Sequence, residues 1–228
     1  MLFVAEVGLN HNGNFGLMHA LVGEAAASGA DIVKFQLGWR DGEGEINRIT
    51  QEILETILKI CTYNSIEPMF SVITPAAWDM LRPFDLRRYK IASRTVRDDP
   101  ALVERILDEG KETFVSLGFH EGETLPFPGR DNVRYLWCKS LYPTPPWALT
   151  DFPKDFRASP YAGYSDHTVG IEAALLAIAR GAGVIERHFT LDRSDTTIRD
   201  HALSSTPDEF ATLVRLGRSI ARLTAAGV

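Results

Sequence analysis

Charged and imidazole side chains stand inside apolar, strand-like runs of this 228-residue chain, where solubility does not require them. Glu6 lies in LFVAEV (residues 2–7), Lys34 and Gln36 in DIVKFQ (31–36), Lys90 in RYKIAS (88–93), and Glu186 and His188 in GVIERHF (183–189). Side chains alternate faces along a strand, so Glu6 shares a face with Val4, Lys34 with Gln36, and His188 with Glu186. Enclosed by a sheet, such charges cost several kcal/mol each unless paired, ligated or close to water. His167 follows the strand-like YAGYS (161–165), one strand–helix unit before His188. Neighbouring parallel strands lie ~4.8 Å apart, so both imidazoles can reach one divalent ion. If the last strand also neighbours the first, Glu6 and the loop of His11 join them, giving two histidines, a carboxylate and open positions. Lys34, Lys90 and Lys111 fall at strand ends or entries, with Ser93, Ser116 and Ser165 nearby. An acidic chain that holds a phosphate needs a local positive cluster of this kind. No P-loop and no G-x-S-x-G elbow occurs, so side chains and loop amides would do the holding.

These residues require a scaffold that gathers the ends of many strands. Three further runs complete a set of eight: PMFSVI (68–73), TFVSLG (113–118) and VRYLWCKS (133–140). Helix-period stretches separate most of them, the clearest at 16–28, 50–64, 99–109, 169–181 and 207–223. Asp99-Pro100 and Thr206-Pro207 read as an N-cap followed by a first-turn proline, and Gly29, Gly110 and Gly181 stand where helices end. Eight strand–helix units predict one (β/α)8 TIM barrel over residues 1–228, of the class α/β, with its active site at the C-terminal ends of the strands. The barrel is expected to be degenerate around units 5 and 6, because 119–132 and 141–157 are rich in Pro and Gly and lack a helical period. An open dinucleotide-binding sheet is disfavoured, since no G-x-G-x-x-G follows the first strand.

Composition narrows the function classes. With 24 Lys+Arg against 30 Asp+Glu the net charge is −6, and no basic block offers a grip on nucleic acid. The two cysteines, Cys61 and Cys138, are isolated, which excludes a disulfide framework or a Cys-rich zinc site. No run approaches a membrane span and no leader pattern opens the chain, so a cytoplasmic location is expected.

Beyond these features, AEVGLNHNG (5–13), VKFQ (33–36), KIAS (90–93), YPTP (142–145), GYSDHT (163–168), IERHFTLD (185–192) and RDHALSSTPDEF (199–210) resemble the sialic acid (N-acetylneuraminate) synthase family, in family order along nearly the whole chain. The resemblance implies a barrel that condenses phosphoenolpyruvate with an N-acetylated hexose or related aldehyde, releasing phosphate and forming a 2-keto sugar acid. It also implies a metal, Mn2+ or Mg2+, held by His167 and His188, with Glu6 beside it to handle the proton of the water that adds at carbon 2. By motif, Lys34, Ser93, Ser116 and Ser165 match phosphoenolpyruvate contacts, as does Lys111 with a looser match. Gln36 and Asp200 match positions near the sugar, and Lys90 takes a supporting electrostatic role.

Departures from the family pattern concentrate on the sugar side. The segment after Gln36 is short, and Arg94 and Arg199 replace smaller residues of the pattern, each a candidate positive contact. Family members carry a C-terminal antifreeze-like domain that a dimer partner lends to the active site with a sugar-binding arginine, whereas this chain stops at Val228. Homodimerisation, or a separate antifreeze-like protein, are the partners this implies besides the small-molecule substrates. A synthase-like barrel without activity, serving ligand binding or assembly, is the competing reading.

Overall fold

Eight parallel strands close into a barrel in the computed structural model, which describes residues 1–227. The strands are β1 (Leu2–Gly8), β2 (Ile32–Leu37), β3 (Glu67–Val72), β4 (Arg88–Ile91), β5 (Glu112–Ser116), β6 (Val133–Trp137), β7 (Tyr161–Asp166) and β8 (Val184–His188), and β8 pairs with β1. The helices are α1 (Met18–Ala27), α2 (Gln51–Tyr63), α3 (Pro75–Leu81), α4 (Ser93–Asp98), α5 (Pro100–Leu107), α6 (Glu172–Ala179) and α7 (Pro207–Ala225). The expected (β/α)8 TIM barrel is therefore present, and it is degenerate where expected. No α-helix joins β5 to β6, and only the short 3-10 turn Pro146–Ala148 lies between β6 and β7. No helix among the described residues is long and apolar enough to cross a membrane.

The cap chemistry works as read. The Asp99 carboxylate accepts the Leu102 amide at 2.9 Å, and Thr206 with Glu209 forms a capping box at the start of α7. Two short helices are additions to the expected set. Thr74 and Pro75 start α3 with the same cap-plus-proline pattern as α5. At Ser93 the chain turns into α4 directly after β4, so the strand expected over 88–93 ends at Ile91. Correspondingly, the strand expected over 133–140 ends at Trp137.

Two apolar layers hold the fold. The larger packs the outer strand faces (Phe3, Val33, Phe35, Phe70, Tyr89, Val115, Tyr164, Ile185) against the helices. The smaller is a plug of six residues, Val4, Ile32, Met69, Phe114, Leu136 and Val184, inside the barrel. Each such buried side chain stabilises by about 1.5–3 kcal/mol. Below the plug, at the N-terminal end, Arg88 pairs with Glu67 (3.0 Å) and Glu112 (3.3 Å). Above it most inward strand positions are polar, with Ile73, Ala92 and Cys138 as the exceptions at the strand exits, and strand register sets the polar positions side by side. Glu6 is level with Lys34 on one side and His188 on the other, Ser71 with Lys90, and Ser165 with Glu186.

Candidate active site

One strand period above the plug, the inward side chains form a charged floor. The Lys34 ammonium lies 2.8 Å from Glu6 Oε2 and 3.6 Å from Glu186 Oε2, and donates to Ser71 Oγ at 3.0 Å. Lys90 lies 3.5 Å from Glu186 Oε1 and donates to Ser116 Oγ at 2.8 Å. Ser165 Oγ donates to Glu186 Oε1 at 2.7 Å, and Gln36 Nε2 donates to Glu6 Oε1 at 3.1 Å. All four charged groups are buried. Glu6 Oε2 and Glu186 Oε2 nevertheless accept no well-aligned hydrogen bond, so each keeps accepting capacity in hand.

The two carboxylates are pushed apart in acidity. Burial raises the Glu6 pKa and Lys34 opposes it without winning, leaving the group above the usual carboxylate value. Burial would also raise Glu186, but Lys34 and Lys90 together outweigh it and hold that group at about 2. Glu186 is thus a fixed anion and Glu6 the more basic of the two carboxylates, the divergence that separates acid–base from electrostatic roles. Burial lowers both lysines. Glu186 and Glu6 more than restore Lys34, while Lys90 stays below its ordinary value.

The floor opens into a cavity of about 350 Å3 that also reaches Trp39, Arg94, Phe119, Tyr142, Arg199 and Asp200. On its β7–β8 side the His167 and His188 rings stand 5.6 Å apart between centroids. His167 Nδ1 lies 2.8 Å from the Lys139 carbonyl. A carbonyl only accepts, so Nδ1 carries the proton and Nε2 keeps a free lone pair. His188 Nδ1 is buried without a hydrogen-bond partner. Burial holds His167 neutral, its pKa near 4, with His188 adding to the depression; burial also lowers His188 against the pull of Asp200. Two neutral imidazoles with unused nitrogens suit a divalent ion. Among the described residues no third His, Cys, Asp or Glu converges with them. Although Glu6 is level with His188, its oxygens turn to Lys34 and Gln36. The carboxylate expected beside the histidines therefore serves the lysine floor instead, and substrate or water would fill the remaining metal positions.

A model of the NeuB family matches residues 45–228, most of the chain. The chain belongs to the NeuB family. An uncharacterized protein of Methanocaldococcus jannaschii is 32% identical over 98% of this chain and 72% of its own length. The N,N'-diacetyllegionaminic acid synthase of Campylobacter jejuni is 31% identical over 100% of this chain and 78% of its own length. Among solved structures, the N-acetylneuraminic acid synthetase of Leptospira borgpetersenii superposes with a TM-score of 0.84 at 27% identity, covering 98% of this chain and 84% of that one. The NeuB family relationship supports a sugar-acid-synthase-like enzyme family and agrees with the barrel.

Within this NeuB barrel, Glu6, Lys34, Gln36, Lys90, Ser93, Ser116, Ser165, His167, His188 and Asp200 all line the one cavity, and so do Arg94 and Arg199. Lys111 does not, and its expected substrate contact is corrected. It precedes β5, at the N-terminal end of a parallel strand and therefore on the far side of the plug, where it pairs with Asp85 (2.5 Å) and the Leu86 carbonyl (2.6 Å). Reasoning from sequence missed Ser71, which β-alternation from Met69 places inward, and Tyr142, whose ring lies 4.2 Å from His167 and 6.1 Å from His188. It also missed Arg187. That side chain points outward from β8 and donates to Ser205 Oγ, Asp166 Oδ2 and the Thr168 and Leu203 carbonyls at 2.6–3.0 Å. Of the four tryptophans, Trp39 lines the cavity, Trp78 and Trp137 are buried in the outer core and Trp147 is exposed.

Proposed function

We propose that this chain is a divalent-metal-dependent synthase that condenses phosphoenolpyruvate with an N-acetylated hexose or related aldehyde, giving a 2-keto sugar acid and phosphate. The observation that carries this reading is a lysine-bridged pair of carboxylates of unequal acidity sharing one cavity with two neutral histidines. Lys34 and Lys90, with the hydroxyls of Ser93, Ser116 and Ser165, form a buried cationic, donor-rich surface of that cavity, and they would hold the phosphate and carboxylate of phosphoenolpyruvate. Glu186 would fix the two ammonium groups in place. His167 and His188 would hold Mn2+ or Mg2+, which as a Lewis acid polarises the acceptor aldehyde. Carbon 3 of the enol phosphate would then bond to the aldehyde carbon, whose oxygen would take up a proton as it becomes a hydroxyl, and water would add at carbon 2. Glu6, held above the usual carboxylate range, would take the proton of that water. Loss of phosphate leaves the keto group. Gln36 and Asp200 would orient the acceptor.

Calorimetric titration of phosphoenolpyruvate, with and without Mn2+, tests the reading when combined with phosphate release across a panel of N-acetylhexosamines, simpler aldoses, and their phosphorylated and carboxylated forms. Saturable binding lost in Lys34→Ala, metal uptake lost in His188→Ala, and aldehyde-dependent phosphate release are expected. Binding without release for any aldehyde supports the ligand-binding alternative. No binding of either ligand at millimolar concentration overturns both.

A further inference from the structure

The floor of the cavity is balanced in charge, two lysines against two glutamates, but its mouth is not. There Arg94 and Arg199 face the single carboxylate of Asp200. In a chain of net charge −6 this local excess of cations runs against the overall field. The two arginines also stand on different walls. Arg94, beside Ser93 at the end of β4, stacks on Trp39 with its guanidinium carbon 4.9 Å from the ring centroid. Arg199 opens the 3-10 turn Arg199–Leu203 that follows β8 and stacks on Tyr142 at 4.7 Å. Tyr142 in turn packs on His167, and Asp200 is near enough to oppose the acidifying effect of burial on His188. Arg199 therefore sits over the histidine side of the cavity, away from the lysines and serines of the floor.

The Arg199 guanidinium is held but not spent. Its Nε donates to Asp200 Oδ1 at 3.2 Å, its only ion pair among the described residues, and the side chain is 70% exposed. Contact with the ring restrains the guanidinium over Tyr142, and the terminal nitrogens of such a fork match the paired oxygens of phosphate or carboxylate. We infer that Arg199 is a specificity residue that grips an anionic substituent of the aldehyde acceptor, so that the second substrate is a phosphorylated or carboxylated aldose rather than a neutral one. This rests on the synthase reading for the identity of the second substrate. It goes beyond that reading in the charge it assigns.

The test uses sugar alcohols, which lack the aldehyde and cannot react. A hexitol, the same hexitol carrying a terminal phosphate, and the corresponding hexonate are titrated into the intact chain with phosphoenolpyruvate saturating. The two anionic probes are expected to bind about tenfold or more tighter than the hexitol, a difference of about 1.4 kcal/mol, and to lose that advantage as salt rises. The stronger of the two identifies the substituent. Arg199→Gln should abolish the preference while leaving phosphoenolpyruvate affinity unchanged. Arg94→Gln removes the same charge from the opposite wall and should keep the preference. Equal binding of neutral and anionic probes overturns the inference, as does a preference that survives Arg199→Gln or disappears equally in Arg94→Gln. A loss of phosphoenolpyruvate binding in Arg199→Gln would assign the guanidinium to the first substrate instead. If phosphoenolpyruvate itself does not bind, the synthase reading fails separately, and the probes titrated alone still report on Arg199.

Discussion

Glu186, Arg187 and His188 are consecutive residues of one strand, all buried, and they serve opposite ends. Inward, Glu186 joins Lys34, Lys90 and Glu6 in a cluster whose ion pairs reach 3.5–3.6 Å and whose Glu6 and Glu186 Oε2 atoms lack an aligned donor. Outward, Arg187 makes four hydrogen bonds of 2.6–3.0 Å, and its partner Asp166 also accepts from the Tyr164 hydroxyl, the Thr168 amide and the Thr168 hydroxyl at 2.8–2.9 Å. A buried charge with a partner on every polar atom is scaffold, here clamping β7, β8 and the 199–205 segment together behind the cavity. A buried charge with bonding capacity to spare is poised for a ligand.

Matched double substitutions should separate the two clusters most sharply. Asp166→Asn with Arg187→Met leaves several buried carbonyl and hydroxyl groups without partners, each costing about 1–3 kcal/mol, and denaturant unfolding should show a loss of at least about 3 kcal/mol. A loss below 1 kcal/mol would dissolve the distinction. Glu6→Gln with Lys34→Met removes one positive and one negative charge from the floor and keeps the Lys90–Glu186 pair. Stability should then stay within about 1 kcal/mol of the parent or rise, while phosphoenolpyruvate binding disappears.

Acidity offers a second lever. His11 is fully buried, and burial drives its pKa from 6.5 to about 4. The unfolded chain therefore binds the proton first, so His11 supports the fold above pH 6.5 and loses that support as pH falls towards 4. The total is up to about 3 kcal/mol. Unfolding midpoints measured across that window should flatten in His11→Asn. Glu6 carries the opposite sign, because its folded pKa is raised. Its carboxyl favours the fold below pH 4.5 and loses that contribution as pH climbs through the folded value. Glu6→Gln should accordingly gain more in melting temperature at pH 7.5 than at pH 4.5, and an equal gain at both would remove the raised basicity assigned to Glu6. The smallest effect belongs to Lys111. Its partner Asp85 is exposed, so Lys111→Ala should change neither the unfolding midpoint nor phosphoenolpyruvate affinity.

The inner cluster was legible in the sequence because charge inside an apolar alternating run is conspicuous, and two-residue periodicity assigns its face. Glu6, Lys34, Glu186 and His188 all emerge that way. The outer cluster was not. Arg187 and Asp166 take the opposite phase of the same strands, where a polar residue looks like a solvated face until Thr168 and the 199–205 segment are seen to cover it. Lys111 misled because a lysine at the entry of a strand and one at its exit look alike in a linear pattern, although the barrel puts them at opposite ends. The helices α3 and α4 escaped notice at seven and six residues, too short for a period to declare itself. Tyr142 carries no charge, and only the folded chain brings its ring onto both histidines.

The stretches after β5 and β6 have one more consequence. Without α-helices, the segments 117–132 and 138–160 cover their flank with side chains such as Leu125, Phe127, Phe152 and Phe156 rather than with a ladder of backbone bonds. Amide deuteration should therefore enter the molecule on that flank first, well before β1, β2 and β8 exchange. Phe119, Ser140, Leu141 and Tyr142, which wall the cavity, belong to those same segments. A ligand seated there would slow exchange across that flank, so occupancy of the cavity can be followed by mass spectrometry with no turnover at all.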